Sequence, residues 1–196
     1  WKAWLVSRTT ECYAVCSMGE NVTGAGNQQG RPDQYLAHYI AGFVDGEGSF
    51  NVSLRKKPDY KVGWQPVLSF NVSQRERTIL ALMKRYFKCG ILKRRKDGLY
   101  SYDVTNPKAI QENVISFFFF FLFLSANKKQ NFSLFKRIVK LMSQKRHLTD
   151  QGFVELLLLR EKLNKGKGRT RKYTIEDVLE SSETIRQAYE SKTFNG

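Results

Sequence analysis

The chain has 196 residues, with 33 Lys and Arg against 18 Asp and Glu, giving a net charge of +15. That length allows one domain of ordinary size with a real core plus tails, and the charge favours a polyanionic partner, nucleic acid ahead of an acidic membrane surface. Cys12, Cys16 and Cys89 form no Cys-x-x-Cys, and only His38 and His147 could add nitrogen ligands, which argues against a structural zinc site and against a disulfide framework and fits a reducing compartment.

Residues 1–33 lack hydrophobic periodicity and carry Gly24, Gly26, Gly30 and Pro32. They read as a mobile leader, without the features of a signal peptide or of an Arg-rich transit segment. A helix is predicted from Tyr35 to Val44, and it runs into Asp45, Gly46, Glu47 and Gly48. Carboxylates there face the negative end of the helix macrodipole, at a cost of about 0.3 to 1 kcal/mol each when exposed. A local rule broken without local reward points to function. Gly42 and Gly46 lie four apart on one helical face and cost about 1 kcal/mol each relative to alanine. Such a bare face lets two backbones touch, although for the glycines alone a buried helix followed by a glycine turn is the competing reading. A close helix pair with a carboxylate at each tip would bring two acids together, and a proton or a hard cation would relieve them.

Strict alternation follows, with Phe50, Val52 and Leu54 on one face of a strand and Ser49, Asn51, Ser53 and Arg55 on the other. After a loop with Pro58, Asp59 and Gly63, a second strand alternates Leu68, Phe70 and Val72 against Gln65, Ser69, Asn71 and Ser73. A helix over Arg75 to Phe87 precedes a second hairpin, Ile91 to Arg95 and Leu99 to Thr105, whose Lys96-Asp97-Gly98 connection holds a strong turn signal. Its open face adds Lys93, Arg95, Ser101 and Asp103. These amides, hydroxyls and charged groups suit base edges in a major groove, while for any one residue a solvated strand face competes. A strand of eight to ten residues covers roughly nine base pairs, so two copies would span about twenty.

Later helices are predicted over Lys108 to Leu122, Gln130 to Ser143 and Asp150 to Leu163. The run of phenylalanines and leucines from Phe117 to Leu124 is far short of the roughly 20 apolar residues that span a bilayer. It reads as the buried end of a helix, with no membrane partner. Asn164 to Lys172 forms a basic glycine loop for which phosphate contact and simple solvation are both open, and Thr174 caps a short helix after it.

Ile40 to Gly48, extended by Ser49, resembles the LAGLIDADG motif of homing endonucleases, and the likeness continues through the strand spacing, Gln74 and a lysine-rich segment over roughly residues 35–165. It implies an α+β protein of αββαββα fold, with a four-stranded antiparallel DNA-binding saddle and C-terminal helices. The endonuclease domain would cover residues 34–165, between the leader at 1–33 and a basic extension with a short helix at 166–196. The implied activity is that of an intron-encoded endonuclease cutting double-stranded DNA at a long pseudo-palindromic site. It would act as a homodimer through Ala41, Gly42, Val44 and Asp45. Divalent metal, Mg²⁺ or Mn²⁺, would sit on Glu47 with help from the Gly46 carbonyl. Gln74 matches the family's water-positioning residue. Arg77 lies one residue from a basic position of the family, and a surface arginine is the competing reading. Where the family has a lysine this chain aligns Ser125 and Asn127, so Lys128 or Lys129 would serve after a register shift. Two other classes remain open: a maturase that binds intron RNA, and a DNA-binding protein with impaired cleavage. The expected location is intracellular, in an organelle or a bacterial cytoplasm.

Overall fold

The computed structural model describes residues 31–164 and 171–194. The chain divides into two compact units, residues 1–39 and 40–196. Of the first, the described part is the opening of helix α1 (Arg31–Glu47). The expected leader through residue 30, with Cys12 and Cys16, and residues 165–170 of the basic loop lie outside the described residues.

Helix α1 starts at Arg31 rather than Tyr35, with Pro32 in the first turn, where a missing amide removes no helical hydrogen bond. It also runs through Asp45 to Glu47 before the chain enters strand β1 (Gly48–Lys56) with no intervening loop. Gly48 makes that junction possible. A Cβ there would stand 2.4 Å from Val44 Cγ1 and 2.7 Å from the Val44 carbonyl oxygen, whereas a Cβ on Gly42 or Gly46 would meet nothing within 4 Å.

Strand β2 (Trp64–Gln74), helix α2 (Arg77–Phe87), β3 (Ile91–Arg94) and β4 (Tyr100–Val104) follow. The four strands form one sheet in the order β1-β2-β4-β3, every neighbouring pair antiparallel. The pairs Phe50↔Phe70 and Val72↔Tyr102 place their rings and side chains on one face, and that face is buried. Helix α2 lays Leu80, Met83 and Phe87 against it.

Asn106 caps helix α3, which runs through Pro107–Ala109, a π segment Ile110–Ile115 and Ser116–Phe120. Helix α4 (Ala126–Ser143) starts earlier than the predicted Gln130, because the Ser125 side chain caps it. Helix α5 (Asp150–Lys162) is capped by Thr149. The run Phe117 to Leu124 is not one buried helix end. The helix stops at Phe120, so Phe117, Phe118 and Phe123 turn inward while Phe119, Phe120, Leu122 and Leu124 stay exposed. Phe118 and Phe123 pack against Phe50, with centroids at 6.1 and 5.9 Å, alongside Phe70, Phe132 and Phe135, while Phe117 packs against Phe87 at 5.0 Å. Such aromatic pairs add about 0.5 to 1.5 kcal/mol each beyond area burial.

The C-terminal segment holds two helices rather than one, α6 (Ile175–Ser181) and α7 (Glu183–Phe194). Their Ile175, Val178 and Ile185 share a second core with Leu54, Val62, Trp64, Phe153 and Leu157. Trp64 donates its Nε1–H to Ser181 Oγ at 2.7 Å. The segment therefore packs as part of the main body. No helix among the described residues is long and apolar enough to cross a membrane.

Strand β1 is an edge strand, and an edge strand needs its outward carbonyls covered. Three side chains from the helical layer cover them at alternate residues. Lys128 Nζ donates to the Gly48 oxygen, Asn164 Nδ2 to that of Phe50 at 2.7 Å and Arg160 Nε to that of Val52 at 3.1 Å. Arg160 is buried, and its Nη2 reaches the Tyr173 carbonyl at 2.7 Å while Nη1 pairs with Glu161. Arg171 of the basic loop likewise turns inward, pairing with Glu161 and donating to the Arg160 oxygen, so its guanidinium is engaged within the chain.

Candidate active site and nucleic-acid interface

The site begins at the junction of α1 and β1. Asp45 turns back to accept the backbone amides of Leu124 and Ser125, both at 2.9 Å, and the Ser125 hydroxyl. It thus anchors the start of α4, where orphan N–H groups and the positive dipole end favour an anion. Partial burial pushes the Asp45 carboxyl up, but the Ser125 and Leu124 hydrogen bonds and the Lys128 charge outweigh it and hold the group below its ordinary range. The acid that looked misplaced at the end of one helix is the capping partner of another.

The same contact sets Lys128. Ser125 is the N-cap of α4, so Lys128 sits in the first turn, buried, with its ammonium on the Gly48 carbonyl next to Glu47. Lys129 is exposed. A lysine in a first turn opposes the dipole, and its β1 partner explains why it is there. Lys128 was expected as a catalytic group; its ammonium is directed at the backbone, as Asn164 and Arg160 are at the next two rungs.

Glu47 is exposed, and no hydrogen bond or ion pair engages its carboxylate among the described residues. Gly46, also exposed, lies in the last turn of α1, where carbonyls lack intrahelical donors. Gly48 pairs with Val72, so Gln74, two residues further along β2, lies at the same end of the sheet. Its Oε1 accepts the Arg75 amide at 2.8 Å. Arg77 opens α2 and lines a groove with Lys84, Arg85 and Lys88. The structure therefore brings Asp45, Gly46, Glu47, Gln74 and Lys128 to one end of the sheet, while Arg77 faces elsewhere.

The open sheet face carries Ser49, Asn51, Ser53 and Arg55 from β1 and Gln65, Ser69, Asn71 and Ser73 from β2. Several are already engaged with one another. Asn51 Nδ2 donates to Ser49 Oγ at 2.9 Å, Gln65 Nε2 to the Tyr60 hydroxyl at 3.1 Å and Ser73 Oγ to Asn71 Oδ1 at 3.3 Å. On β4, Ser101 is buried and belongs to a network rather than to a reading surface. It accepts from Asn71 Nδ2 at 2.8 Å and donates to Asp103 at 2.9 Å, and Lys93 pairs with the same carboxylate. Burial pushes Asp103 up, yet the Lys93, Asn71 and Ser101 bonds hold its carboxyl below the ordinary range. Arg95 is off the strand, in the hairpin connection, paired with Asp97 at 2.8 Å. Ser53 and Arg55 are exposed, with no ion pair or side-chain bond among the described residues.

The expected dimer contacts also divide. Ala41 and Val44 are buried within the chain, because they lie on the inward face of α1, and Asp45 is spent on α4. Gly42 and Gly46 form the exposed face.

A family model described as LAGLIDADG endonuclease matches residues 40–139, from the motif through α4. The chain belongs to that family. Among its relatives is a probable intron-encoded endonuclease 2 of Neurospora crassa, 31% identical over 145 residues, which cover 72% of this chain and 32% of the relative. Among solved structures, the archaeal intron-encoded homing endonuclease I-Vdi141I complexed with DNA aligns at a TM-score of 0.71 and 26% identity, covering 80% of this chain and 98% of that one. The homing endonuclease I-TnaI aligns at 0.65 and 27%, covering 76% and 97%. This chain spans about a quarter to a third of the length of the fungal relatives it matches. The four-stranded antiparallel sheet with its helices is the expected α+β LAGLIDADG fold.

Proposed function

We propose that this chain is a site-specific double-strand DNA endonuclease that works as a homodimer with a divalent cation at Glu47. The observation that carries the reading is the exposed, unengaged Glu47 carboxylate at the end of a polar sheet face. The intron-encoded endonuclease among its relatives and the DNA complex among its structural neighbours support it.

The donor set fits a hard cation. Mg²⁺ takes oxygen ligands and commonly binds through one or two carboxylates, with waters and substrate phosphates completing its shell. Glu47 and the Gly46 carbonyl supply oxygens of that kind. When bound, the cation stabilises developing charge on a phosphodiester and lowers the pKa of its water.

The remaining roles fall to this chain's own groups. Asp45 holds α4 against the end of α1. Lys128, as a positioning residue, holds the Gly48 carbonyl and so the direction of Glu47. Gln74 offers an amide at the end of β2 to orient a water. One chain carries one motif and a duplex has two strands, so two copies meet across the Gly42 and Gly46 face, each serving one strand. The open faces of β1 and β2 read bases.

The test is incubation of the full chain with Mg²⁺ and a library of candidate intronless insertion sites. Double-strand breaks at one long site are expected. Glu47→Gln should abolish cleavage while site binding in Ca²⁺ persists, since the change removes a charge and little shape. Near-parental cutting by that variant would remove Glu47 from the site, and failure of the parent chain to cut any site would overturn the reading.

A further inference from the structure

Cations around this sheet come in two kinds. On the second hairpin they are neutralised: Lys93 pairs with Asp103 and, at the hairpin tip, Arg95 with Asp97. On the flank of α2 they are not. Arg77, Lys84, Arg85 and Lys88 are all exposed, and none of them takes part in an ion pair among the described residues. They lie with Ala81 on one stripe of the helix, at spacings of three and four residues, roughly a third of a turn around from the buried Leu80, Met83 and Phe87. Eleven residues separate Arg77 from Lys88, which is about 16 Å at 1.5 Å per residue. The stripe lines a groove of about 500 Å³ together with Cys89, Gly90 and Leu92, and no acid is among its lining residues.

The other wall of the groove is β3, the edge strand. Leu92 pairs with Tyr102 and so faces the groove side, Lys93 faces the open side, and Arg94 returns to the groove side. Basic side chains therefore run from the open face over the β3 edge, through the exposed Arg94, onto the α2 stripe. A stripe about 16 Å long matches some five phosphates of one strand, which advance 3.4 Å each along the duplex axis. Backbone contacts of this kind position a duplex and reward bending without reading bases.

We infer that the α2 groove is a second phosphate track for the same duplex, holding DNA that leaves the sheet over the β3 edge and bends toward the helix flank. This rests on the DNA-binding reading above. The groove cations carry affinity and bending, while the open faces of β1 and β2 carry sequence.

The experiment uses the full chain without Mg²⁺, duplexes of 20 and 40 base pairs of one arbitrary sequence, and a Lys84→Gln, Arg85→Gln, Lys88→Asn triple variant. Asn is chosen at Lys88 because that residue has φ +53 and Asn tolerates this region. A Lys84→Arg, Arg85→Lys variant keeps the charge and serves as a control for fold. The salt slope of binding on the 40-base-pair duplex should fall by nearly three for each bound protomer in the triple variant. The slope on the 20-base-pair duplex should hardly change, and the charge-retaining variant should match the parent on both. Cys89 lines the same groove, so its alkylation, localised by mass spectrometry, should be slowed by the long duplex and not by the short one. Equal losses on both lengths would move these cations to the central DNA and overturn the inference. An unchanged slope, or a loss confined to binding of a structured RNA, would overturn it too. If the parent chain binds no duplex at all, the DNA reading falls and takes this with it; normal parental binding with an indifferent triple variant sinks the second track alone.

Discussion

Two glycines of the motif, two residues apart, should respond to the same substitution in opposite directions. In Gly48→Ala the new Cβ would be placed 2.4 Å from Val44 Cγ1, 2.7 Å from the Val44 oxygen and 3.2 Å from its Cα. Ordinary carbon contacts lie near 3.5 to 4.0 Å, so the overlap exceeds 1 Å at the methyl and involves backbone as well. The methyl cannot swing away easily, since Val44 is fully buried and valine in a helix keeps one strongly preferred rotamer. Nor can the strand retreat freely, because Gly48 pairs with Val72 and its oxygen takes Lys128. Overpacking of this kind costs about 2 to 3 kcal/mol, or roughly 5 to 10 °C in Tm for a chain of this size. Gly46→Ala meets nothing within 4 Å and should gain about 0.5 to 1 kcal/mol from helix propensity. Thermal and urea unfolding over a hundredfold range of protein concentration would read both. The Gly48→Ala loss is internal to one chain and should not vary with concentration, whereas any penalty of Gly46→Ala should appear only where copies associate. A Gly48→Ala protein within about 0.5 kcal/mol of the parent, or a Gly46→Ala protein equally damaged at the lowest concentration, would refute the close-approach argument.

Asp45→Asn should lower stability at neutral pH by weakening the cap of α4. Because the folded Asp45 carboxyl lies below its ordinary value of 3.8, its stabilisation is present above that pH and lost as pH falls through the lower folded value. The gap between variant and parent in urea titrations should therefore close only below about pH 4. Ending the chain at Lys172 removes Ile175, Val178 and Ile185 from a shared core and takes the Tyr173 carbonyl from buried Arg160. At about 1.5 to 3 kcal/mol for each buried aliphatic side chain, the shortened chain should unfold or aggregate; a Tm within a few degrees of the parent would make the segment a dispensable extension. Arg55→Ala should cost about 1 to 3 kcal/mol and relax preference at one base pair per half-site. Arg95→Ala, losing a guanidinium that is paired with Asp97, should weaken binding mildly and alike on all sequences in a panel of single-substituted duplexes.

The fold was legible from the chain because its signals are local. Alternation over Phe50 to Leu54 and Leu68 to Val72, the Asp97-Gly98 turn and the compact stretch from Ile40 to Gly48 each depend on spacings of two to four residues, and backbone geometry turns such spacings directly into strands, turns and one helical face. Glu47 stood out for the same reason, as an acid that no local rule rewards, and the structure leaves it exposed. What lay beyond reach were choices made across the sheet. Lys128 finds Gly48 and Asp45 finds Ser125 over separations of 80 residues, and no local period encodes either pairing. Ser101 reads as an open-face residue by alternation, yet neighbouring Asn71 and Asp103 bury it. Uniform phenylalanines from Phe117 to Phe121 look alike as letters, and the point at which α3 stops decides which of them turn inward. Local chemistry determined which segments become helix or strand and which face is apolar; only packing, which must satisfy every buried donor and edge carbonyl at once, decided which polar groups stay free to meet a ligand.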